Sequence, residues 1–191
     1  RAQTRCFCII IRSKGLFLSA NLLVSIEVVA YNTKNLRAGF LQLVVQTEKI
    51  MEVRAKKALG QHFLTDLSIA QRIADALTVE EGSVLPALEV GPGMGVLTQY
   101  LLQRPEVDLR MVEIDTESVD YLLVHFPQVN GRLIEADFLK LRLERFFDGQ
   151  FAVIGNFPYN ISSQIFFKIL EYKQQVPQVV CMIQKEVAER I

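Results

Sequence analysis

Leu88-Glu89-Val90-Gly91-Pro92-Gly93-Met94-Gly95 is the stretch that decides the predicted fold of this chain. It closes an apolar run that begins at Val84 and is typical of a buried strand, and a helix is predicted to follow over residues 96–102. Glycines between a strand and a helix let the backbone turn tightly and approach a ligand at the helix N-terminus. The stretch therefore predicts either a ligand site at the end of this strand or a tight strand-to-helix turn.

Predicted strands alternate with predicted helices on both sides of this stretch. A helix that Asp66 or Thr65 caps precedes it. Further strands are predicted over 109–114, 132–135, 151–154 and 179–183, and helices over 116–124, 161–173 and 185–191. Such alternation is typical of a parallel sheet with helices on both faces. We therefore predict an α/β, Rossmann-like domain with a mostly parallel sheet over residues 51–191.

The N-terminal part of the chain differs from the rest in charge. Residues 1–57 hold ten Lys and Arg against three Asp and Glu, whereas residues 58–191 hold eleven against eighteen. Met51 opens the more informative sequence, so we predict that residues 1–50 are an N-terminal extension without catalytic chemistry; a transit-like segment is the alternative. The basic excess suits an anionic partner such as nucleic acid, or is an ordinary solvated stretch.

Composition excludes several classes of protein. The 191 residues are 50% hydrophobic and 22% charged with zero net charge, which is not the composition of a disordered chain. No uninterrupted run of apolar residues is long enough for an ordinary membrane-spanning helix. The three cysteines, with no Cys/His cluster, predict neither a disulfide scaffold nor a zinc site, and they favour a reducing, cytoplasmic compartment.

Two acidic residues follow the next two predicted strands. Glu113 lies twenty-two residues after Gly91, where a carboxylate can accept hydrogen bonds from both hydroxyls of a ribose. Asp137 can accept a hydrogen bond from an adenine amino group, or it can cap a helix. Because Val96 occupies the third glycine position of the dinucleotide motif, a nucleoside-containing cofactor is favoured over NAD.

Asn156-Phe157-Pro158-Tyr159 follows the fourth predicted strand of this domain. The Asn156 side-chain oxygen and the Phe157 carbonyl offer two acceptors for an exocyclic amine, and Tyr159 offers an aromatic face for a planar base. Two acceptors can draw the nitrogen lone pair out of ring conjugation towards an electrophile, so these residues suit methyl transfer. A polar turn that caps the next helix is the structural alternative.

Six segments in order carry a family resemblance: 56–64, 88–95, 112–115, 135–137, 156–162 and 184–190. With them, the chain from about Arg54 onward resembles the adenine-N6 dimethyltransferases of small-subunit (16S) ribosomal RNA, the KsgA/RsmA/Dim1 family. The resemblance implies a class I methyltransferase fold and S-adenosylmethionine as methyl donor. It also implies dimethylation of two adjacent adenosines during ribosome biogenesis by a monomer that needs no metal or membrane, with ribosomal RNA or a small-subunit precursor as partner.

The resemblance also implies roles for individual residues. Asn156, Phe157 and Tyr159 would be catalytic, and Lys56 and Lys57 would suit RNA phosphates. The residues implied to bind the cofactor are His62, Leu64, Gly91, Glu113, Asp137 and Asn156. This sequence departs from the family pattern at three places: His62 stands where Asn is frequent, Phe157 replaces a leucine and implies a bulkier pocket wall, and the helical C-terminal domain of the family is absent. We therefore expect a truncated domain, incomplete at its C-terminal end, with an exposed sheet edge.

The same residues are compatible with three other functions. The related large-subunit enzymes of the antibiotic-resistance type share the segments 60–64 and 156–159, although the segment 184–190 favours the small-subunit enzymes. A non-catalytic RNA-binding assembly factor is a second alternative. An NAD-dependent oxidoreductase is disfavoured by the glycine spacing and by Asn156-Phe157-Pro158-Tyr159.

Overall fold

The computed structural model describes residues 6–13, 24–29 and 66–184 of the chain. Its strands are β1 (Cys6–Ser13), β2 (Val24–Val29), β3 (Leu85–Val90), β4 (Val107–Glu113), β5 (Leu133–Glu135), β6 (Ala152–Asn156) and β7 (Gln178–Gln184). Its α-helices are α1 (Leu67–Asp75), α2 (Thr98–Leu101), α3 (Thr116–His125) and α4 (Ser162–Glu171). Short 3-10 helices lie at Pro127–Val129, Phe138–Lys140 and Leu143–Arg145.

The described strands form one sheet in the order β2-β1-β7-β6-β3-β4-β5. The neighbours from β7 to β5 are parallel, whereas β1 is antiparallel to both β7 and β2. From β3 the chain first builds one side of the sheet through β4 and β5, and it then crosses to β6 and β7 on the other side. This reversal places a topological switch point between β3 and β6, where ligands bind in such sheets. The predicted, mostly parallel α/β sheet is confirmed.

Both faces of the parallel sheet are buried because side chains along each strand alternate between two apolar clusters. In β6, for example, Ala152 and Ile154 belong to one cluster, whereas Val153 belongs to the other. The first cluster also contains residues of α1, α2 and α3, and the second contains residues of α4 and of two 3-10 helices. The helices therefore cover both faces and leave the strand ends as the place for polar side chains.

The starts of α1 and α2 depend on the residues that come just before each helix. The Asp66 carboxylate accepts a hydrogen bond from the Ser68 backbone N–H at 2.9 Å, so Asp66 is the predicted cap of α1. The helix predicted over 96–102 is shorter in the structure, where α2 spans only Thr98–Leu101. The reason is that the residues before it form a turn in which Gly91, Gly93 and Gly95 all have positive φ.

The N-terminal segment contributes two strands that the sequence analysis did not predict. β1 pairs with β7 along the whole length of β7, from Cys6 opposite Gln184 to Arg12 opposite Gln178. β2 then pairs with the other side of β1 and continues the sheet. Because β1 covers β7, the described sheet ends at β2 and β5. The β-branched run Ile9–Ile11 is typical of a strand, but within a predicted N-terminal extension it had no predicted partner strand. The domain boundary at residue 50 stays a prediction.

The described residues form neither a membrane-spanning helix nor a metal-binding group of acidic, His or Cys side chains. None of their helices combines the length and the apolar character that crossing a bilayer requires. No group of three or more His, Cys, Asp or Glu side chains in these ranges is placed to hold a metal ion.

Candidate functional site

A cavity of about 280 Å³ lies at the carboxyl ends of the parallel strands, and Gly91, Glu113, Asp137 and Asn156 all line it. The sheet register brings them together. The Gly91 N–H donates to the Val112 carbonyl at 2.9 Å, and Glu113 is paired with Glu135, two residues before Asp137. The pairing of β3 with β6 brings Asn156 to the same edge. Four of the six residues predicted to bind a cofactor thus meet at the switch point.

The glycine turn depends on conformations that other residues rarely adopt. Gly91, Gly93 and Gly95 have φ values of 70°, 56° and 76°. A Cβ atom on Gly95 would overlap the ring of Phe126, whereas a Cβ atom on Gly91 would meet nothing within 4 Å. Gly95 is therefore required for close packing of the turn on the end of α3. Gly91 instead leaves open space beside the cavity.

Glu113 fixes this turn from the neighbouring strand. Its carboxylate accepts three backbone N–H hydrogen bonds: Gly93 at 2.9 Å, Ile114 at 2.9 Å and Asp115 at 3.0 Å. The side chain is buried, and burial raises the pKa of Glu113, although these hydrogen bonds oppose the rise. A carboxylate offers about four acceptor positions, so Glu113 keeps capacity for a ligand hydroxyl while it holds the turn.

Asp137 caps a 3-10 helix and also lines the cavity. Its Oδ1 atom accepts a hydrogen bond from the Leu139 N–H at 3.0 Å and so caps the following 3-10 helix. Its Oδ2 atom lies 3.2 Å from the Lys140 ammonium group. The residue still lines the cavity, which leaves the predicted contact with an adenine amino group geometrically open.

The predicted catalytic residues are in three different environments. Asn156 ends β6 and lines the cavity with its Oδ1 atom buried. The Phe157 side chain is only 1% exposed and packs edge-on against Phe166 at 5.7 Å, so the expectation that it makes the pocket wall bulkier is wrong. Tyr159 is half-buried in the turn after β6 and is absent from the cavity lining. Of this set, only Asn156 therefore lines the cavity.

Sequence reasoning missed one buried acid at this site. Glu89 lies in β3, lines the cavity and accepts a hydrogen bond from the Thr98 hydroxyl at 2.8 Å. Burial, together with a smaller contribution from the nearby Glu113, raises the pKa of Glu89 to about 8, although the bond from Thr98 opposes the rise. The signal was present in the sequence, since Glu89 is an acid in an otherwise apolar strand. Ile114, another lining residue, was also missed and is half exposed.

Several predicted residues lie outside the described ranges. These are His62 and Leu64 of the cofactor set, Lys56 and Lys57, the helix predicted over 185–191 and the segment 184–190 apart from the backbone of Gln184. Their predicted roles stay predictions.

Comparison with known proteins adds what geometry alone does not give. A model of the family described as ribosomal RNA adenine dimethylase matches residues 52–191. The chain belongs to this family. The family predicted from the six sequence segments is thereby confirmed, and the match begins one residue after Met51.

Individual relatives support the same family. "Ribosomal RNA small subunit methyltransferase A" of Parabacteroides distasonis is 64% identical over 139 residues, which cover 73% of this chain and 51% of the relative. The protein of the same name from Porphyromonas gingivalis is 57% identical over 144 residues, which cover 74% of this chain and 55% of the relative. The chain thus spans about half the length of the curated relatives it matches.

A solved structure supports the fold. The crystal structure of the 23S rRNA methyltransferase ErmE superposes with a TM-score of 0.55 at 30% identity, covering 66% of this chain and 50% of that one. The fold is that of class I S-adenosylmethionine-dependent methyltransferases, as the family resemblance implied.

Proposed function

We propose that this chain binds S-adenosylmethionine and transfers methyl groups to N6 of adenosines in small-subunit (16S) ribosomal RNA, with two adjacent adenosines each dimethylated. The observation that supports it best is the cavity at the switch point, where four predicted ligand-binding residues meet in a member of the ribosomal RNA adenine dimethylase family. The relatives named as small-subunit methyltransferases favour that RNA over the large-subunit RNA.

The residues of the cavity fit such a cofactor. Glu89, Glu113 and Asp137 give it three carboxyl groups, and no Lys, Arg or His is among the described residues that line it. This charge pattern suits a ligand that carries a sulfonium and an ammonium group. The open space beside Gly91 allows the ligand to approach the turn closely. When bound, S-adenosylmethionine supplies an electrophilic methyl group.

We assign the cofactor contacts as the family resemblance implies them. The remaining acceptor position of Glu113 accepts a hydrogen bond from a ribose hydroxyl, and Asp137 accepts a hydrogen bond from the adenine amino group. Gly91 lies beside the methionine portion. Ile114 is half exposed at the same edge and offers an apolar surface to the adenine ring. His62 and Leu64 complete the site in this proposal.

We assign the target amine to the end of β6. The Asn156 side-chain oxygen and the Phe157 backbone carbonyl accept its two N–H groups and orient its lone pair towards the methyl group. Tyr159 stacks on the target base, which must leave its RNA stack to reach the cavity. Tyr159 is absent from the cavity lining, but its neighbours Pro158 and Asn160 line it, so this role requires the base to bind at the rim that these residues form.

A binding experiment tests the cofactor site. Titration calorimetry with S-adenosylmethionine on the full chain is expected to show binding that Glu113→Ala abolishes. Glu135→Ala is the matched control, because Glu135 is paired with Glu113 in the sheet register but is exposed and absent from the cavity lining. Equal affinity in both variants would contradict the assignment of Glu113.

A transfer experiment tests the reaction and its substrate. Labelled methyl groups are expected to enter immature small ribosomal subunits that lack the modification, and Asn156→Ala is expected to lose transfer while it still binds the cofactor. The exposed Asn130→Ala is the control. Transfer into large subunits instead would favour the alternative that the ErmE likeness represents. Cofactor binding without any transfer would favour a non-catalytic assembly factor.

The wider setting follows from this proposed substrate. We place the chain in the cytoplasm as a monomer whose partner is ribosomal RNA or a small-subunit precursor. The basic residues Lys56 and Lys57 suit RNA phosphates, and loss of RNA binding in their alanine variants at raised salt is the test.

A further inference from the structure

Glu89 is a buried carboxyl group that the proposed reaction does not use. It is 1% exposed and lies two residues before Gly91, on the strand that leads into the glycine turn. Among the described residues, the polar contact recorded for its carboxyl group is the hydrogen bond from Thr98, which is fully buried at the start of α2. This bond joins the strand before the turn to the helix after it.

The glycine turn is thus held from two sides. Glu113 binds the Gly93 N–H in the middle of the turn, and Glu89 binds Thr98 at its far end. Both carboxyl groups line the same cavity, and Asp137 is the third. Lys140 lies beside Asp137, but no basic side chain is among the described lining residues, so ionised Glu89 and Glu113 face no cationic side chain in the cavity until a cation enters.

We propose that Glu89 is a positioning residue of the cofactor site, which holds the glycine turn through Thr98 and releases its proton when the positively charged cofactor binds. The inference rests on the proposed function, because it takes S-adenosylmethionine as the ligand. The step is a simple proton transfer, in which the carboxyl O–H bond breaks and the proton passes to the buffer.

The surroundings of Glu89 set the direction of this proton transfer. Glu113 in β4 faces Glu89 and disfavours its ionisation. In β6, Ile154 is paired with Glu89, and no residue from Ala152 to Asn156 is titratable. From α2 it meets the Thr98 hydroxyl, whereas Tyr100 packs on the first apolar cluster. With a pKa of about 8, Glu89 is mostly neutral near pH 7 until a cation lowers that pKa.

Calorimetry in two buffers with different ionisation enthalpies measures the protons released on binding. Near pH 7, the wild-type chain is expected to release close to one proton more than Glu89→Gln when S-adenosylmethionine binds. The affinity of the wild-type chain is expected to increase as the pH rises towards 8, by up to about tenfold per pH unit and more steeply than that of the variant. The α-ammonium group of the ligand titrates near pH 8 as well, so the difference between the two proteins is the measurement.

The variants separate ionisation from simple support of the turn. Gln keeps the size of Glu and an oxygen that can accept the Thr98 bond, so Glu89→Gln preserves the turn without a titrating group. Thr98→Val keeps the shape but removes the bond that favours ionisation, and it is expected to move the proton release to higher pH. A residue that only supports the turn would change affinity without changing the number of released protons.

A measurement on the wild-type chain does not depend on any variant. Difference infrared spectroscopy is expected to show the loss of a protonated-carboxyl band when S-adenosylmethionine is added. Binding without this loss, or with equal proton release by wild type and Glu89→Gln, overturns the inference and leaves the proposed function intact. Absence of any binding by the folded wild-type chain overturns the proposed function, and the inference falls with it.

Discussion

Substitution of Gly155 tests whether close packing of β6 against β3 positions Asn156 at the site. It lies in β6, one residue before Asn156, and its φ is outside the left-handed region. Its conformation alone would therefore permit alanine, which in a strand is more favourable than glycine by about 0.5–1 kcal/mol. Space does not permit it, because a Cβ atom there would lie 2.5 Å from the Val90 carbonyl oxygen and 3.0 Å from the Phe157 ring. We expect Gly155→Ala to destabilise the protein.

The magnitude follows from the contact with Val90. Ordinary contact begins at 3.4 Å, so the end of β6 must move away from β3 by about 0.9 Å. Overpacking of this kind costs about 1–3 kcal/mol, and each strand hydrogen bond stretched beyond its range adds about 1 kcal/mol. We therefore expect a loss of about 2–4 kcal/mol in the free energy of unfolding. Asn156 moves with Gly155, and a displacement near 1 Å can reduce turnover by about 100-fold.

Gly149→Ala is the matched control, because Gly149 is exposed, has no left-handed φ, and a Cβ atom there would meet nothing within 4 Å. The chain contains no tryptophan, so urea unfolding is followed by far-UV circular dichroism. Binding of S-adenosylhomocysteine and methyl transfer are measured on the same samples. If Gly155→Ala and Gly149→Ala unfold at the same urea concentration and turn over equally, the steric argument is refuted.

Three further predictions use other contacts. Gly95→Ala is expected to lose about 1–3 kcal/mol more stability in urea than Gly131→Ala, because both have positive φ but only Gly95 is blocked by Phe126; equal losses would contradict the clash. Folding raises the pKa of Glu89 from 4.5 to about 8, so its stabilising contribution is complete below about pH 4.5 and is lost as the pH rises to about 8. The free energy of unfolding is therefore expected to fall by up to about 4 kcal/mol between pH 5 and pH 9, and Glu89→Gln is expected to flatten this dependence. Deletion of residues 1–30 removes β1 and β2, bares the edge of β7 and is expected to cause self-association in sedimentation runs; a monomeric deletion variant of unchanged stability would support the prediction of a dispensable extension.

The parallel sheet was predictable because its sequence signals are local and agree with one another. Apolar runs with buried residues on both faces predict strands, and Asp66 is a common type of helix cap. The shortening of the helix after Gly95 was not predictable by periodicity, since the positive φ of that glycine leaves no trace in the spacing of apolar residues. β1 was missed because its partner, β7, lies at the other end of the chain, and such long-range pairing has no local signal.

At the site, the strand order predicts which residues lie together but not how each side chain is oriented. The carboxyl ends of parallel strands meet at one edge, so Gly91, Glu113, Asp137 and Asn156 could be grouped from the order of the strands alone. The orientation of a side chain within a turn follows no such rule. Phe157 and Tyr159 stand in the same motif as Asn156, yet the structure buries the phenylalanine against Phe166 and leaves the tyrosine beside the cavity lining.

Stability and ligand binding are coupled at this edge of the sheet because the same carboxyl groups serve both. Glu113 uses its charge to fix the backbone of Gly93, and burial makes that charge costly unless a ligand cation shares the site. Burial also makes a charge on Glu89 costly, so Glu89 is mostly neutral near pH 7. A cationic cofactor relieves both, so S-adenosylmethionine should raise the midpoint of thermal unfolding more than the uncharged-sulfur product S-adenosylhomocysteine does at equal occupancy. The difference should shrink in Glu89→Gln, where one of the two carboxyl groups no longer ionises.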